Sequence, residues 1–243
     1  MISFKKRSFE QEIMDDLDCH GEVVDQTLRE LEVINRLLGG DYVTIDGVKR
    51  LIKKNDTSTP VLIGDCGCGG GDLAMKIVQW GRKNGITMKV EGIDANPHII
   101  AFAKENSKNF PEISFSAEDV FSQSFRNKKY DILTATLFTH HFSDEQLVDM
   151  FRSMKSQSKI GFVVNDIHRH PFAFYSIKWL TQLLSKSAMV QFDAPLSVRR
   201  AFTRDDIKSI LMRAGIANYK LTWKWAFRWQ LIVRSQETDM ITS

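Results

Sequence analysis

From residue 61 onward, short apolar runs alternate with longer segments whose apolar residues recur at helical spacing. Each run is bounded by turn residues and predicts a buried strand, and each intervening segment predicts an amphipathic helix. Strands and helices that alternate in this way build a mostly parallel sheet with helices on both faces, the doubly wound α/β fold class. The predicted parallel strands begin at Val61, Met88, Ile113, Tyr130 and Ile160.

The N-terminal quarter has a different pattern, because its apolar residues follow helical spacing without intervening strands. It predicts a small helical cap, residues 1–55, in front of a ligand-binding domain, residues 56–243. The predicted helices of the cap cover residues 9–18, residues 24–38 with a stop at Gly39–Gly40, and residues 46–52. A polar linker, residues 55–60, leads into the first strand.

Residues 168–200 form a second departure from the alternation, and they predict an insertion before the last helix, with one strongly aromatic helical stretch. Two more extended segments close the chain at residues 219–226 and 227–233. If they stay extended, aromatic residues at period two give one aromatic face. This face consists of Trp223, Trp225, Phe227 and Trp229. It is either buried against a helix or forms a wall of the acceptor pocket, and both interpretations remain open.

Composition fits one large globular α/β domain with an attached cap, at 243 residues with 43% hydrophobic and 26% charged positions. The net charge of +3 is too small and too scattered to indicate nucleic-acid binding. Cys19, Cys66 and Cys68 provide no disulfide framework. The start of the chain runs directly into charge, and no apolar stretch reaches the roughly 20 residues of a membrane span. We therefore expect a cytoplasmic protein without stable membrane insertion, as a monomer or homodimer.

The first strand leads into a glycine-rich turn with the spacing Gly67-x-Gly69-x-Gly71, flanked by Asp65 and Asp72. A strand, a glycine turn and a helix are the first half of a βαβ unit, and such a turn approaches a nucleoside-bearing ligand. A dinucleotide places its pyrophosphate on the following helix N-terminus, where two carboxylates would repel it. The acids instead favour a ligand with a cationic amine and no phosphate, such as S-adenosylmethionine (SAM).

The string from Asp65 to Gly71 resembles the first motif of class I SAM-dependent methyltransferases. The resemblance extends over residues 46–233, and flanking signatures are similar to those of bacterial enzymes that methylate quinone precursors, phenolic lipids or polyketides. It implies a seven-stranded sheet with an antiparallel end, SAM as methyl donor and S-adenosylhomocysteine as product. The flanking signatures are Arg7-x-x-Glu10 with Ile13-Met14-Asp15-Asp16, Leu28-Arg29, Ile34-Asn35-Arg36, residues 165–170 and Arg200-Ala201-Phe202-Thr203.

Acidic residues follow the second and third predicted strands. Asp94 can accept both hydrogen bonds of a ribose diol, although the same residue could cap the next helix, and its spacing would also suit NAD. The resemblance implies that Asp119 binds the adenine amino group and that the Val120 N–H reaches the ring; a solvated loop acid is the competing interpretation. It also assigns cofactor contacts to Ala95, Glu118 and Thr136.

A pair of histidines, His140 and His141, follows the fourth strand, and Asp166 ends the fifth. A histidine can take a proton from a phenol or enol as the methyl group is transferred, and a carboxylate can orient its ring. Similar O-methyltransferases carry a histidine pair here and an acid on the next strand. We predict His140 as the base, with His141 as the close alternative; histidines that only pack or bind the cofactor remain open.

Acceptor contacts are predicted in the insertion, at His168, Arg169, Phe172 and Tyr175. Arg169 could hold an anionic or carbonyl group of the acceptor, and a surface salt bridge is the alternative. A metal site at His168 and His170 would need a further ligand from elsewhere, so no metal is predicted.

These observations give the hypothesis of SAM-dependent O-methylation of a small hydrophobic molecule, on a phenolic or enolic hydroxyl of a quinone-, polyketide- or phenolic-lipid-like acceptor. C- or N-methylation is compatible with the same residues. Two other classes stay open: an NAD(P)-dependent oxidoreductase, and a SAM-binding protein without catalysis. Nucleotide preference and a methyl-transfer assay distinguish them.

Overall fold

The computed structural model describes residues 3–52 and 59–235, and a seven-stranded sheet forms its centre. Its strands are β1 (Val61–Cys66), β2 (Met88–Asp94), β3 (Ile113–Ala117), β4 (Tyr130–Thr136), β5 (Ser158–Ile167), β6 (Tyr219–Lys224) and β7 (Arg228–Arg234). They are ordered β3-β2-β1-β4-β5-β7-β6, and β7 runs antiparallel to both of its neighbours. The predicted fold class, a doubly wound and mostly parallel sheet, is confirmed.

Helices pack on both faces of the sheet and over its carboxyl edge. They are α1 (Glu22–Leu37), α2 (Gly40–Leu51), α3 (Asp72–Lys83), α4 (Pro97–Asn106), α5 (Gln123–Arg126), α6 (Asp144–Gln157), α7 (Pro171–Leu184), α8 (Ala188–Arg200) and α9 (Arg204–Arg213). Two short 3₁₀ turns, Ile13–Asp15 and Thr139–His141, complete the described elements.

Two apolar layers hold the helices to the sheet. On one face, α2 and α3 bury Leu51 and Ile77 against Ile63 of β1. On the other, α6 and α9 bury Leu147 and Ile210 against the opposite face of the same central strands. The central strands are buried along almost their whole length because both of their faces are covered, and the short apolar runs that this requires identified them in the sequence.

The N-terminal segment differs most from its prediction. In place of a helix over residues 9–18 there is one 3₁₀ turn, held by tertiary contacts: the Asp193 carboxylate accepts the Ile13 N–H at 2.8 Å and the Met14 N–H at 3.2 Å. The predicted stop at Gly39–Gly40 agrees with the end of α1 at Leu37. The next helix, α2, begins at Gly40 rather than at residue 46, after a short turn in which Gly39 has a φ of 69°. Residues 53–58, which contain the predicted boundary at residue 55, lie outside the described residues.

The insertion contains a second helix besides the predicted aromatic one, because the chain becomes extended at Ser185 after α7 and the Ser187 hydroxyl then caps α8. Both helices lie over the carboxyl edge of the sheet, where α8 contacts α1 and the 3₁₀ turn of the N-terminal segment. None of the described helices combines the length and hydropathy that crossing a lipid bilayer requires.

The last two strands form a hairpin whose turn is Trp225–Phe227, so the four aromatic residues do not line one face of a single extended segment. Trp223 and Trp229 pair across the hairpin, and the other two lie in its turn. Trp229 is buried and donates its ring N–H to the Phe202 carbonyl at 3.1 Å. Trp225 and Phe227, by contrast, lie at the carboxyl edge of the sheet beside the insertion.

Candidate active site

A cavity of about 970 Å³ opens at the carboxyl ends of β1, β2 and β4, where parallel sheets place their ligands. The glycine turn and the strand ends form one side, and the N-terminal segment, α1, α7 and α8 cover the other. Most residues that the sequence assigned to a site contribute to its wall: Asp65, Gly67, Gly69, Asp94, Ala95, Glu118, Asp119, Val120, Thr136, His140, His141 and Phe172.

The glycine turn is shaped by backbone conformation and by close packing. Gly67, Gly69 and Gly71 have positive φ angles of 68°, 49° and 79°. A Cβ on Gly67 would lie 2.2 Å from the ring of Phe138, whereas one on Gly69 would meet nothing nearer than 3.9 Å. Gly69 therefore faces open cavity, while Gly71 lies behind the wall as the N-cap of α3.

Two buried carboxylates, Asp65 and Asp94, face the crevice beside this turn. Asp65 is 2% exposed and accepts a hydrogen bond of 2.6 Å from the Thr134 hydroxyl. Burial raises the pKa of Asp65 to about 7, against the opposing effect of that hydrogen bond. Burial also raises the pKa of Asp94, although the N–H groups of Asn96, Gly69 and Ala95 stabilise its charge.

Burial is the main cause of both raised pKa values, and neither carboxylate has an ion-pair partner in the part of the chain that the structure describes. A ligand with an ammonium group and a ribose diol would supply a cation and two hydroxyl donors, whereas a pyrophosphate would add charge of the same sign. SAM carries the first set of groups and no phosphate, so the residues present fit it.

The predicted adenine end of the crevice is formed by the residues after β3. Asp119 accepts the Phe121 N–H at 2.9 Å, which turns the chain and leaves the second carboxylate oxygen available. Glu118 instead pairs with Lys128 at 2.6 Å.

His140 and Asp166 form a buried pair next to the end of β4. The His140 Nδ1 lies 2.7 Å from Asp166, which also accepts hydrogen bonds from Thr139 and Ile167. Burial alone would raise the pKa of Asp166, but His140 and these hydrogen bonds outweigh it and hold that pKa below its ordinary value. An ionised Asp166 places the ring proton on Nδ1 and leaves the His140 Nε2 lone pair free.

His141 is held in a parallel way by the N-terminal segment. Its Nδ1 lies 2.6 Å from Asp15, which also forms an ion pair with Arg200 at 2.5 Å. Burial opposes ionisation of Asp15, but hydrogen bonds from His141 and Arg200 keep its pKa below the ordinary range. Both imidazoles of the pair are therefore oriented by a carboxylate.

Glu12 closes this end of the cavity. Its Oε2 accepts the Ser197 hydroxyl at 2.9 Å, and its Oε1 has no hydrogen-bond partner among the described residues. That oxygen lies 3.7 Å from the His140 Nε2 and 3.5 Å from Arg200. Burial raises the pKa of Glu12 to about 7, although the charges of His141 and Arg200 oppose the shift.

Two arginines fix the backbone that carries the histidines. Arg7 donates to the carbonyls of His140 at 3.2 Å and Phe142 at 2.9 Å, and Arg200 donates to the carbonyl of His141 at 2.8 Å. The sequence pattern predicted no role for four of these residues, Arg7, Glu12, Asp15 and Arg200. The available signal was position: these residues lie within or beside the segments that carry the methyltransferase resemblance.

Glu12, His140 and His141 place potential metal ligands within 4.8 Å of one another. Arg200, however, already lies 3.5 Å from the Glu12 oxygen that would face the ion. This guanidinium supplies positive charge where a metal would. We therefore interpret Glu12, His140 and His141 as an acid–base cluster.

Three residues predicted to contact the acceptor lie outside the cavity wall. Arg169 is buried and pairs with Asp206 at 2.9 Å, while its guanidinium also donates to the Phe4 and Ala201 carbonyls. His168 accepts the ring N–H of Trp223 at 3.3 Å. The structure therefore gives Arg169 and His168 packing partners of their own, whereas the third residue, Tyr175, points outward from α7.

Comparison with known proteins agrees with this geometry. Residues 63–161 match a family model described as a methyltransferase domain. No curated protein matches the sequence significantly.

The fold recurs in solved methyltransferase structures of low sequence identity. Human N-acetylserotonin methyltransferase in complex with SAM is 18% identical at a TM-score of 0.60, covering 87% of this chain but 55% of the human one. The plantazolicin methyltransferase BpumL in complex with S-adenosylhomocysteine is 15% identical at a TM-score of 0.64, covering 88% and 95%. Magnesium protoporphyrin IX methyltransferase from Synechocystis PCC 6803 is 17% identical at a TM-score of 0.54, covering 83% and 86%.

The chain thus spans little more than half of the human protein's length. The domain match and the strand order nevertheless agree with the crevice, whose two carboxylates would repel a phosphate group. Residues 63–161 thus match a methyltransferase domain, and the fold of the chain is that of solved SAM-dependent methyltransferases.

Proposed function

We propose that the chain transfers a methyl group from SAM to a hydroxyl group of a small hydrophobic acceptor, phenolic or enolic in character. The observation that carries the proposal is continuity: one cavity joins the carboxylate-lined crevice to the His140–Asp166 pair. A donor and an acceptor bound in one enclosed space can react without diffusing apart.

In the cofactor half, Asp65 would face the ammonium group, Asp94 the ribose diol and Asp119 the adenine. When bound, SAM supplies an already activated methyl group, so the chain needs to position both molecules and exclude water. The glycine turn allows close approach, since Gly69 leaves open space where a side chain would stand.

In the acceptor half, apolar side chains dominate the surfaces of α1, α7 and the β6–β7 turn. Leu31, Ile177, Leu180 and Phe227 contribute to this wall. Such a surface suits a flat or extended hydrophobic molecule with few polar groups. The structural neighbours are named for three different acceptors, so the fold does not fix the acceptor and its chemistry follows from this wall.

For the proton, His140 is the base in this proposal. Its Nε2 accepts the hydroxyl proton while Asp166 holds the opposite ring nitrogen and stabilises the charge that develops. Glu12, at 3.7 Å from the same nitrogen, limits the space for the hydroxyl and orients it. His141 lies beside it, with ring centroids 4.3 Å apart, and remains the alternative base.

The test is methyl transfer from labelled SAM to a panel of phenols and enols, with acceptor-free protein as background. We expect one or more phenols to be methylated and His140→Ala to lose about 10²-fold or more in kcat. His141→Ala measures the alternative base, and Asp205→Ala, which removes an exposed acid on α9, serves as the control. If both histidine variants stay within a few-fold of wild type, positioning alone provides the catalysis.

A further inference from the structure

The outward face of α7 is apolar and lacks a partner in the described structure. Phe172, Tyr175, Trp179 and Leu183 follow one another at helical spacing, and they are 66%, 51%, 76% and 82% exposed. Single exposed apolar residues are ordinary on protein surfaces, whereas four large ones on a single helical stripe mark an interaction surface. We refer to these four residues as the α7 stripe.

The stripe continues onto the hairpin turn at the same edge of the molecule. The Phe172 and Phe227 rings lie 6.0 Å apart, and Trp225 in the same turn is 71% exposed. Phe172 and the turn also contribute to the cavity wall. The apolar surface therefore reaches the rim of the active-site cavity.

Charge within the part of the insertion that carries the stripe is of one sign. No aspartate or glutamate occurs between Asp166 and Asp193, and this stretch contains Lys178 and Lys186. The N-terminal segment brings further basic residues to this side, since Phe4 packs against Phe174 with ring centroids 5.6 Å apart and the exposed Lys5 and Lys6 follow it. One carboxylate lies at the C-terminal end of α7, where Glu30 accepts hydrogen bonds from the Ser185 hydroxyl and the Lys186 N–H. An apolar, aromatic stripe bordered mainly by lysines is complementary to an anionic surface.

The opposite face of the same helix lines the cavity. Ala173, Ser176, Ile177 and Leu180 contribute to its wall. One helix thus separates the acceptor space from the exposed stripe, and a hydrophobic molecule leaving a lipid phase at the stripe would have a short path into the cavity.

We propose that the α7 stripe docks on the surface of an anionic membrane, with α7 lying in the plane of the interface. Aromatic and leucine side chains enter the boundary between headgroups and acyl chains, and the lysines pair with anionic headgroups. Docking of this kind is peripheral. Membrane docking is a property separate from methyl transfer. It can therefore be measured with vesicles alone, without SAM or acceptor.

The experiment is co-sedimentation of the full chain with vesicles of phosphatidylcholine alone or phosphatidylcholine mixed with phosphatidylglycerol. We expect binding to the anionic vesicles, weaker binding to the neutral ones, and release by salt. The double variant Trp179→Ser/Leu183→Ser should weaken binding about tenfold or more, because two apolar anchors are lost. Lys178→Glu should weaken binding about fivefold or more, on anionic vesicles only.

Met212→Ser is the matched control, since Met212 is 74% exposed on α9 and lies outside the stripe. Thermal unfolding of each variant verifies the fold, and light scattering gives the oligomeric state. The proposal is overturned if wild-type protein does not bind anionic vesicles, or if the double stripe variant binds them as tightly as wild type does. A dimer that dissociates in the stripe variant also overturns it, because the stripe would then be a subunit interface. Methyl-transfer results affect none of these outcomes.

Discussion

Asp166→Asn exchanges one carboxylate oxygen for an NH2 group at a position surrounded by donors. One carboxylate oxygen of Asp166 accepts two hydrogen bonds, from the His140 Nδ1–H at 2.7 Å and from the Ile167 N–H at 2.7 Å. The other accepts the Thr139 hydroxyl at 2.5 Å and the His140 backbone N–H at 3.1 Å. The amide must therefore turn its nitrogen toward one of these two pairs.

Each buried donor left without an acceptor costs about 1–3 kcal/mol, so the substitution should lower the free energy of unfolding by about 2–6 kcal/mol. The cost is smallest when the amide faces the imidazole, because the ring can move its proton from Nδ1 to Nε2 and then accept from the amide. That rearrangement removes the lone pair that serves as base. We therefore expect kcat to fall about 10²- to 10⁴-fold through loss of general-base catalysis.

The assay compares kcat for wild type, Asp166→Asn, His140→Ala and the double variant on a phenolic acceptor. Affinity for SAM, measured by calorimetry, should stay within a few-fold, since neither residue belongs to the carboxylate crevice. The double variant should be no slower than the worse single variant, because the two residues act as one unit. A folded, SAM-binding Asp166→Asn enzyme with nearly full activity, or independent losses that multiply in the double variant, would refute the dyad.

Asp94→Ala should remove measurable SAM binding in calorimetry, and ordinary affinity in that variant would exclude the ribose role. Gly67→Ala should destabilise the protein by more than about 1–3 kcal/mol in denaturant unfolding, because φ is 68° and the new Cβ would lie 2.2 Å from Phe138. Gly85→Ala is the control, because Gly85 has a φ of 69° and no atom within 4 Å of the added Cβ. This variant should lose only the free energy that the positive φ angle costs an alanine, without a steric clash. Burial raises the Glu12 pKa from 4.5 to about 7, so ionisation opposes folding, and the contribution of Glu12 is lost as pH rises through this interval. Relative to Glu12→Gln, wild type should therefore lose about 3 kcal/mol of unfolding free energy between about pH 5 and about pH 9; parallel curves would contradict the raised pKa.

The sheet was predictable because its signal is local. β1 and β4 are buried on both faces, which requires runs of apolar residues that are visible in sequence, and the capping residues of α4, α6 and α9 precede their helices directly. The N-terminal segment lacks such a signal. Its single turn is held by Asp193, which lies 180 residues away in sequence, and a helical pattern of apolar spacing cannot report a contact at that distance.

The same distinction divides the site. Asp65, Asp94 and Asp119 were identified because the end of a parallel strand is a fixed place in the fold, and all three line the cavity. Arg169 and Arg200 show the opposite case, since both are arginines near the cavity and no local pattern separates them. Only the partners differ: Arg169 pairs with Asp206 behind the wall, whereas Arg200 pairs with Asp15 beneath the histidines.

The cofactor crevice and the acceptor space are formed by different parts of the chain. The crevice residues lie on strand ends that the whole sheet holds in register, so substitutions there disturb the fold and the cofactor together. Glu12 and Asp15, in contrast, are supplied by a segment whose position depends on a few polar contacts to α8. Changes in this segment and in the inner face of α7 alter the acceptor space while the crevice keeps its shape. We therefore expect exchange of these surfaces between related enzymes to change the acceptor preference and to leave SAM affinity unaltered, a comparison that calorimetry and the labelled-methyl assay measure separately.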